Sequence, residues 1–318
     1  MYYNCPRIKS SGRRHKRIAQ GKFDCEIDSR LASSMSAINR RATQSDVEII
    51  SNKKVGAYHH ITLSADKISE RARPGNFIGI SVGDEKSSML LRRSFAIYQA
   101  SGRGPFGGTI EIIVSAHGAG TRWLVNRAPH EKIDVVGPLG NSFGIPKEPV
   151  RALLIGGGYG SAALFSLGDA LRQRNCRVEM IVGAATADKV FAPVEGKRSV
   201  HSLSIFTEDG SMGTQGRVTD PLESLLDNTD IIYACGPMGM LQAISKLAAT
   251  KEIPCQSAVE ESMACGIGIC MTCVLPVIGD DGQTRMVRSC TEGPIFEGSK
   301  VRWDDIGTVP PGTYGGPK

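Results

Sequence analysis

Cys265, Cys270, Cys273 and Cys290 stand as C-x4-C-x2-C with a fourth cysteine after sixteen intervening residues. This is the ligand spacing of a plant-type 2Fe-2S cluster, and its chemistry is the transfer of single electrons. Thiolates that converge on so small a group need a tight loop. Cys265-Gly266-Ile267-Gly268-Ile269-Cys270 supplies two glycines for positive φ and close backbone approach, which lets amide N–H groups point at the sulfurs. Cys290 must return from a second segment, so a hairpin is expected over residues 274–289 with Asp280-Asp281-Gly282 as its turn. Two other chemistries use clustered cysteines. Structural zinc usually pairs short C-x2-C knuckles, whereas here a three-cysteine loop is followed by a lone cysteine. Disulfide frameworks suit small secreted chains, not 318 residues without a secretory signal. The spacing favours the cluster over both.

A second group of residues has the chemistry to hold a dinucleotide such as FAD. Leu90-Leu91-Arg92-Arg93-Ser94-Phe95-Ala96-Ile97 puts arginine at the mouth of a strand, and Gly118-Ala119-Gly120-Thr121 opens a predicted helix over residues 122–126. A guanidinium and a helix N-terminus hold a pyrophosphate in complementary ways, one by charge and fork geometry, the other by free amides and dipole. Taken singly, each piece equally fits a solvated arginine or an ordinary turn.

A third group suits a nicotinamide nucleotide. An apolar strand runs into Gly156-Gly157-Gly158-Tyr159-Gly160-Ser161 and then a helix, so backbone amides can approach phosphates at the carboxyl edge of a parallel sheet. The fingerprint is imperfect. Ser161 replaces the third glycine of G-x-G-x-x-G, and the next strand ends Val182-Gly183-Ala184-Ala185-Thr186 without the acid that would grip a ribose. Lys189, Lys197 and Arg198 lie nearby, which leaves NAD against NADP open. In Ala234-Cys235-Gly236-Pro237-Met238 a strand ends in a cysteine, and proline starts a helix at its permitted first position. Cys235 can face the nicotinamide or serve as a small buried hydrophobe. His59, His60, His117 and His201 show no metal-ligand spacing, and no Ser-His-Asp or paired-carboxylate set points to hydrolysis.

The elements that must position these groups change period along the chain. Short strands are predicted at residues 47–50, 58–63, 77–80, 94–98 and 110–114, broken by Gly, Pro, Asn or Asp, which predicts a small antiparallel barrel. Strands at 152–155, 178–182 and 231–234 alternate with helices at 161–174 and 238–249, which means a parallel sheet. The expected organisation is a basic, disordered tail (1–46), an antiparallel FAD-binding β-barrel domain (47–148), an α/β parallel-sheet NAD(P)-binding domain (149–252) and a small C-terminal 2Fe-2S domain with an irregular tail (253–318).

Charge supports that division. The net charge is +6, and residues 1–46, with ten Lys or Arg against four Asp or Glu, account for all of it. The remaining 272 residues are neutral and carry no nucleic-acid footprint. Residues 1–23 are Arg- and Ser-rich like a transit peptide but lack an amphipathic apolar face, and Met35 is an alternative initiator. No apolar run approaches the ~20 residues of a membrane span. A cytoplasmic protein with reduced or metallated cysteines and no membrane partner is expected.

In the order barrel, glycine-rich parallel domain, cluster, the chain resembles the ferredoxin reductase superfamily. Within it the chain is most similar to the electron transfer subunits of NAD-dependent dihydroorotate dehydrogenase. The resemblance covers about residues 47 to 305. It rests on residues 260–273 (EESMACGIGICMTC), Cys290-Thr291-Glu292-Gly293-Pro294-Ile295-Phe296, Val136-Gly137-Pro138-Leu139-Gly140-Asn141-Ser142-Phe143, Pro74-Gly75-Asn76-Phe77, Thr207-Glu208-Asp209-Gly210-Ser211 and Gly216-Arg217-Val218-Thr219-Asp220. It implies a flavin site of Arg93, Ser94, Phe95, Ala96, Ile113, Val114, Ser115, Gly120 and Thr121, and a nucleotide site of Gly156, Gly157, Gly158, Gly160, Cys235, Gly236 and Pro237. It also implies an FMN-containing catalytic subunit as partner, in a heterotetramer of two of each. Electrons from dihydroorotate would cross the cluster and FAD to NAD, in pyrimidine (UMP) synthesis, with no catalytic residue for dihydroorotate on this chain. Where that family commonly reads Arg-Pro-x-Ser, this chain has Arg93-Ser94-Phe95-Ala96, which loses a hydroxyl beside the flavin or moves it to Ser94. Its glycine loop continues into Ala162-Ala163 instead of the family's Ala-Pro, and residues 1–46 have no counterpart. Two other readings keep parts of this set: a subunit of NADP-linked sulfide dehydrogenase or ferredoxin-NADP oxidoreductase, and a non-catalytic flavin- or zinc-binding regulatory module.

Overall fold

The computed structural model describes residues 42–84, 87–102, 104, 107–191 and 193–316. The transit-peptide and Met35 readings, and all but the last residues of the expected tail, lie outside them. Strands β1 (Thr43–Val55), β2 (Tyr58–Ser64), β3 (Phe77–Ile80), β4 (Arg93–Ala96), β5 (Gln99–Ser101), β6 (Thr109–Val114) and β7 (Lys132–Leu139) form an antiparallel sheet in the order β4-β3-β7-β1-β2-β6-β5. The sheet curls so that β4 also approaches β6. Ile61 and Leu63 on β2, and Ile110 and Ile112 on β6, recur at every second position and fill its interior with Ile49, Ile78 and Val135. Two short helices, α1 (Asp66–Ser69) and α2 (Ala119–Val125), belong to the same unit.

β1 begins inside the segment expected to be a tail. Thr43 to Asp46 are too polar to read as a strand, but they pair with Gly137 to Asp134 of β7, so backbone hydrogen bonds extend the strand where side-chain pattern does not. Helix α2 starts three residues earlier than expected, with Gly118 as N-cap and Thr121 inside the first turn.

The second sheet is parallel over β8 (Arg151–Gly157), β9 (Arg177–Ala184), β10 (Ser202–Thr207), β11 (Thr214–Gln215), β12 (Ile231–Cys235) and β13 (Cys255–Ala258). Helices α3 (Ala162–Gln173), α4 (Pro193–Ser199), α5 (Leu222–Leu226) and α6 (Met238–Thr250) alternate with its strands. β8 is a continuous buried run, Ala152 to Ile155, as a central parallel strand covered on both faces must be. Chain order runs outward from β8 in both directions, through β9 to β11 on one side and from β12 on the other. The carboxyl ends of β8 and β12 are therefore a topological switch point, where a crevice opens.

Between Cys273 and Cys290 the expected hairpin is present as β14 (Val274–Ile278) and β15 (Thr284–Arg288). The flanks of the cluster segment are not separate from the parallel sheet, however. β13 pairs with β12, and β16 (Ile295–Glu297) adds antiparallel to β13 as its edge, so the boundary expected at residue 253 falls inside a shared sheet. Residues after Val301 dock on the hairpin: the Tyr314 amide donates to the Thr284 carbonyl at 2.8 Å, and the Arg285 guanidinium lies 5.5 Å from the Tyr314 ring centroid.

Candidate functional site

The cluster loop is built around Cys265. Its sulfur accepts hydrogen bonds from the amides of Ile267, Ile269 and Cys270 at 3.5, 3.3 and 3.5 Å. Such donors offset thiolate charge. Gly266 and Gly268 take φ of +71° and +86°, the left-handed turns that aim those amides inward. The other sulfurs fall into two couples. Cys270 meets Cys265, and its thiol is lowered to about 6, first by hydrogen bonds from Thr272 and then by those with Cys265. Cys290 meets Cys273, and burial, then that contact, pushes it up to about 12. All seven cysteines among the described residues are free thiols. A structural zinc cage needs four ligands around a single point, whereas a cluster spreads its thiolates over more than one iron. The donor set fits the latter.

Arg288 holds this loop to the hairpin, and isolated in sequence it carries no signal. Its Nη1 donates to the Gly268 carbonyl at 2.9 Å, and its Nη2 and Nε reach the Glu292 carboxylate at 2.6 and 3.3 Å. Asn141 donates to the Glu292 carbonyl at 2.7 Å, and Asn76 to the Gly140 carbonyl at 2.8 Å. The motifs at 74–77, 136–143 and 290–296 thus meet as one scaffold.

Beside the loop, a cleft with ≈ 900 Å³ of space, part of it open to solvent, runs between the curled sheet and the switch point. Ser94, Phe95, Ala96 and Ile113 line its barrel side, and Gly160, Cys235 and Gly236 its nucleotide side. The cluster segment forms a third wall with Glu260, Glu261 and Met263. Burial raises the Glu261 carboxyl above its usual range. Phe77 and Gly75 complete the barrel wall.

The structure also brings Arg93 to the start of α2: a Cβ at Gly120 would lie 2.9 Å from Arg93 Nε. Thr121 Oγ1 accepts from the Gly118 and His117 amides at 2.9 and 3.1 Å, closing the helix start on itself. Val114 points into the barrel core, and Ser115 Oγ meets His117 Nδ1 at 3.1 Å, so both stand back from the cleft's lining.

The two glycine turns nest. β8 and β12 place Gly156 opposite Cys235. A Cβ at Gly160 would sit 2.9 Å from Gly236 Cα, and one at Gly157 would sit 2.9 Å from Pro237 Cδ. Glycine is required there for close approach rather than for turning. Burial, then the nearby Glu260 carboxylate, pushes the Cys235 thiol up to about 12, so it faces the cleft protonated. Tyr159, between the glycines, donates its hydroxyl to Glu260 across this opening. Sequence reasoning missed both residues as partners because they are 101 positions apart.

The histidines serve structure. His60 Nε2 meets Glu111 at 2.6 Å, His59 meets Asn52 at 3.0 Å, and His201 accepts from the Val178 amide at 3.1 Å.

Comparison with known proteins identifies the fold and the family. The family model for the iron-sulfur cluster binding domain of dihydroorotate dehydrogenase B matches residues 260–302. A solved structure described as an NADH-dependent reduced ferredoxin-NADP oxidoreductase, studied for flavin-based electron bifurcation, superposes with TM-score 0.71 at 29% identity, over 82% of this chain and 91% of that one. The flavohem-like FAD/NAD binding domain of nitric oxide dioxygenase from Vibrio cholerae shares the fold, with TM-score 0.56 at 21% identity, over 65% of this chain and 93% of that one. Fold and site define a flavin- and iron–sulfur-dependent oxidoreductase of the ferredoxin reductase type, supporting FAD and an iron–sulfur cluster as cofactors. The electron transfer subunit of dihydroorotate dehydrogenase B (NAD(+)) from Bacillus caldolyticus is 35% identical over 245 residues, 76% of this chain and 92% of its own. That from Listeria welshimeri is 33% identical over 263 residues, 81% of this chain and 98% of its own. The chain belongs to the family of dihydroorotate dehydrogenase B electron transfer subunits.

Proposed function

We propose that this chain passes electrons from an FMN-containing dihydroorotate-oxidising subunit to NAD, in the cytoplasm and in a heterotetramer of two of each subunit, as a step of UMP synthesis. The observation that carries the reading is adjacency: Gly266 of the cluster loop abuts Phe77 and Ser94, which line the flavin cleft, with a Cβ there 3.5 Å from the Phe77 ring and 3.8 Å from Ser94 Oγ.

Cys265, Cys270, Cys273 and Cys290 would hold a 2Fe-2S cluster, and Arg93 with the first amides of α2 would hold the pyrophosphate of FAD. When bound, the two groups supply the exchange between hydride at one end and single electrons at the other. The residues' part is to position them and keep water out; Phe77, Ile113 and Ala258 give the cleft its apolar lining. Around Cys270 the loop presents Ile267, Ile269 and Met271 at 39%, 76% and 53% exposure. An apolar surface at the point where electrons arrive suits a protein partner. No helix among the described residues is long and apolar enough to cross a membrane.

Register supports NAD over NADP. β10 runs parallel to β9 with Thr207 opposite Ala184, and the Glu208 and Asp209 amides donate to the Ala184 and Ala185 carbonyls at 3.1 and 3.3 Å. Asp209, and Glu208 with the Arg217 guanidinium 3.8 Å from its carboxylate, therefore stand beside the strand end that lacks an acid of its own. Hydrogen bonds from Ser211 hold Asp209 below the usual carboxylate range, so it is an exposed anion. Carboxylates accept from ribose hydroxyls and repel a 2′-phosphate. The likeness to a ferredoxin-NADP oxidoreductase favours a second reading, in which the partner differs and NADP is used.

Affinity purification from the native host, kept anaerobic, tests the proposal. A dihydroorotate-oxidising FMN subunit should come along, and the complex should show a flavin plus 2Fe-2S spectrum bleached by NADH far faster than by NADPH. Faster bleaching by NADPH without such a partner supports the second reading, and a colourless zinc protein rejects both.

A further inference from the structure

Tyr159 is the one side chain on the turn Gly156-Gly157-Gly158-Tyr159-Gly160. It is 38% exposed and stands edge-to-face to Tyr58, ring centroids 6.3 Å apart. Its hydroxyl donates to Oε1 of Glu260, an exposed residue just past β13 where the chain sets out toward Cys265. Tyr159, Glu260, Cys235 and Gly236 line one cleft, and the first two are on its open side. The tyrosine therefore spans that opening from the nucleotide turn to the cluster segment.

A nicotinamide whose phosphates rest on the two glycine turns has to enter the cleft between these residues. We propose that the Tyr159–Glu260 hydrogen bond is a latch over the nicotinamide subsite, opened by nucleotide binding, so that Tyr159 is a positioning residue that sets nucleotide affinity. The inference rests on the NAD-binding reading above. The backbone need not move: Gly157 and Gly160 are wedged against the Cys235-Gly236-Pro237 turn, while the ring can leave by rotation about its own side-chain torsions. Nor does opening leave a group without a partner. The released Glu260 carboxylate accepts from amide hydrogens such as those of a carboxamide, and the phenol turns to water. Tyr159 is a neutral donor in the closed latch, since burial and then the Glu260 contact hold its hydroxyl above the ordinary range.

A latch that must open costs affinity, so its removal returns that cost. The dissociation constant of NAD for the oxidised, cofactor-loaded protein, read by calorimetry and by the flavin's visible spectrum, should fall about threefold to tenfold in Tyr159→Phe, a hydrogen bond to a charged group discounted for its exposure. The KM for NADH should fall in step and flavin content should not change. Tyr159→Leu, which also removes the ring, carries the same expectation and decides the matter if the phenylalanine variant fails to fold. Equal or weaker NAD binding in a folded variant overturns the latch. A wild-type protein that binds no NAD overturns the reading on which the latch rests.

Discussion

Phe77 abuts Gly266 of the cysteine loop: a Cβ at Gly266 would lie 3.5 Å from the phenyl ring. The residue, only 4% exposed, shares a buried cluster with Leu139, Cys273 and Cys290, and it also lines the cleft with Ser94 and Cys235. Phe77 is thus common to the cysteine cluster and the cleft wall. Both are held to one rigid scaffold, because Phe77 lies on β3 between β4 and β7. Electron transfer between them depends on packing that admits no water.

Phe77→Leu, which removes part of a buried ring, should therefore cost about 1–2 kcal/mol of stability. Cluster and flavin content should stay normal. Electron transfer between cluster and flavin, followed by stopped-flow, should slow severalfold while NADH oxidation by ferricyanide is unchanged. Equal slowing of both reactions would place the ring's role elsewhere.

Cys270 is the exposed member of the cysteine set and sits among Ile267, Ile269 and Met271. Cys270→Ser should leave flavin binding and NADH oxidation by artificial acceptors largely intact and abolish electron flow to the catalytic subunit. Iron content and electron paramagnetic resonance of the reduced protein check the cluster directly. Parallel loss of both activities would count against separate roles for flavin and cluster.

At Gly160 a methyl group would meet Gly236 Cα at 2.9 Å, and backbone cannot turn aside as a side chain can. Gly160→Ala should force the two turns apart at about 1–3 kcal/mol. The consequence for function is weaker NAD binding with the iron–sulfur spectrum intact. Thermal unfolding and NAD titration read the two effects separately.

Asp230 ties the starts of β8 and β12, accepting from the Arg151 amide at 2.7 Å and from its Nη2 at 2.7 Å. The hydrogen bonds from Arg151 hold its carboxyl below the ordinary range. A depressed folded value means that the pair stabilises fully above the unfolded pKa of about 3.9 and loses that contribution as pH falls through the folded value. Both partners are largely solvated, so the size is under about 1 kcal/mol. Asp230→Asn should unfold at lower temperature than wild type near neutral pH, and the two curves should converge below about pH 4. A gap independent of pH would remove the ion pair from the account.

What could be read without coordinates was local. The spacing of Cys265, Cys270 and Cys273, the glycines between them and the hairpin returning Cys290 depend on a few neighbouring φ angles, and residue type alone specifies those. Likewise, the continuous apolar run of β8 and the alternation in β2 and β6 report burial on two faces or one. Polar strands such as Thr43 to Asp46, and the short β13 and β16, carry no such pattern, because pairing across the sheet holds them.

The chain by itself therefore determined the order of its parts and the chemistry of its cysteine loop. Tertiary structure alone decided that Arg93 lies at Gly120, that Glu208 and Asp209 stand beside the end of β9, and that Tyr159 reaches Glu260. Those meetings depend on sheet register and on how the curled sheet faces the parallel one. Sequence spacing encodes the turn a few residues long, but it holds no record of which distant turns will share a cleft.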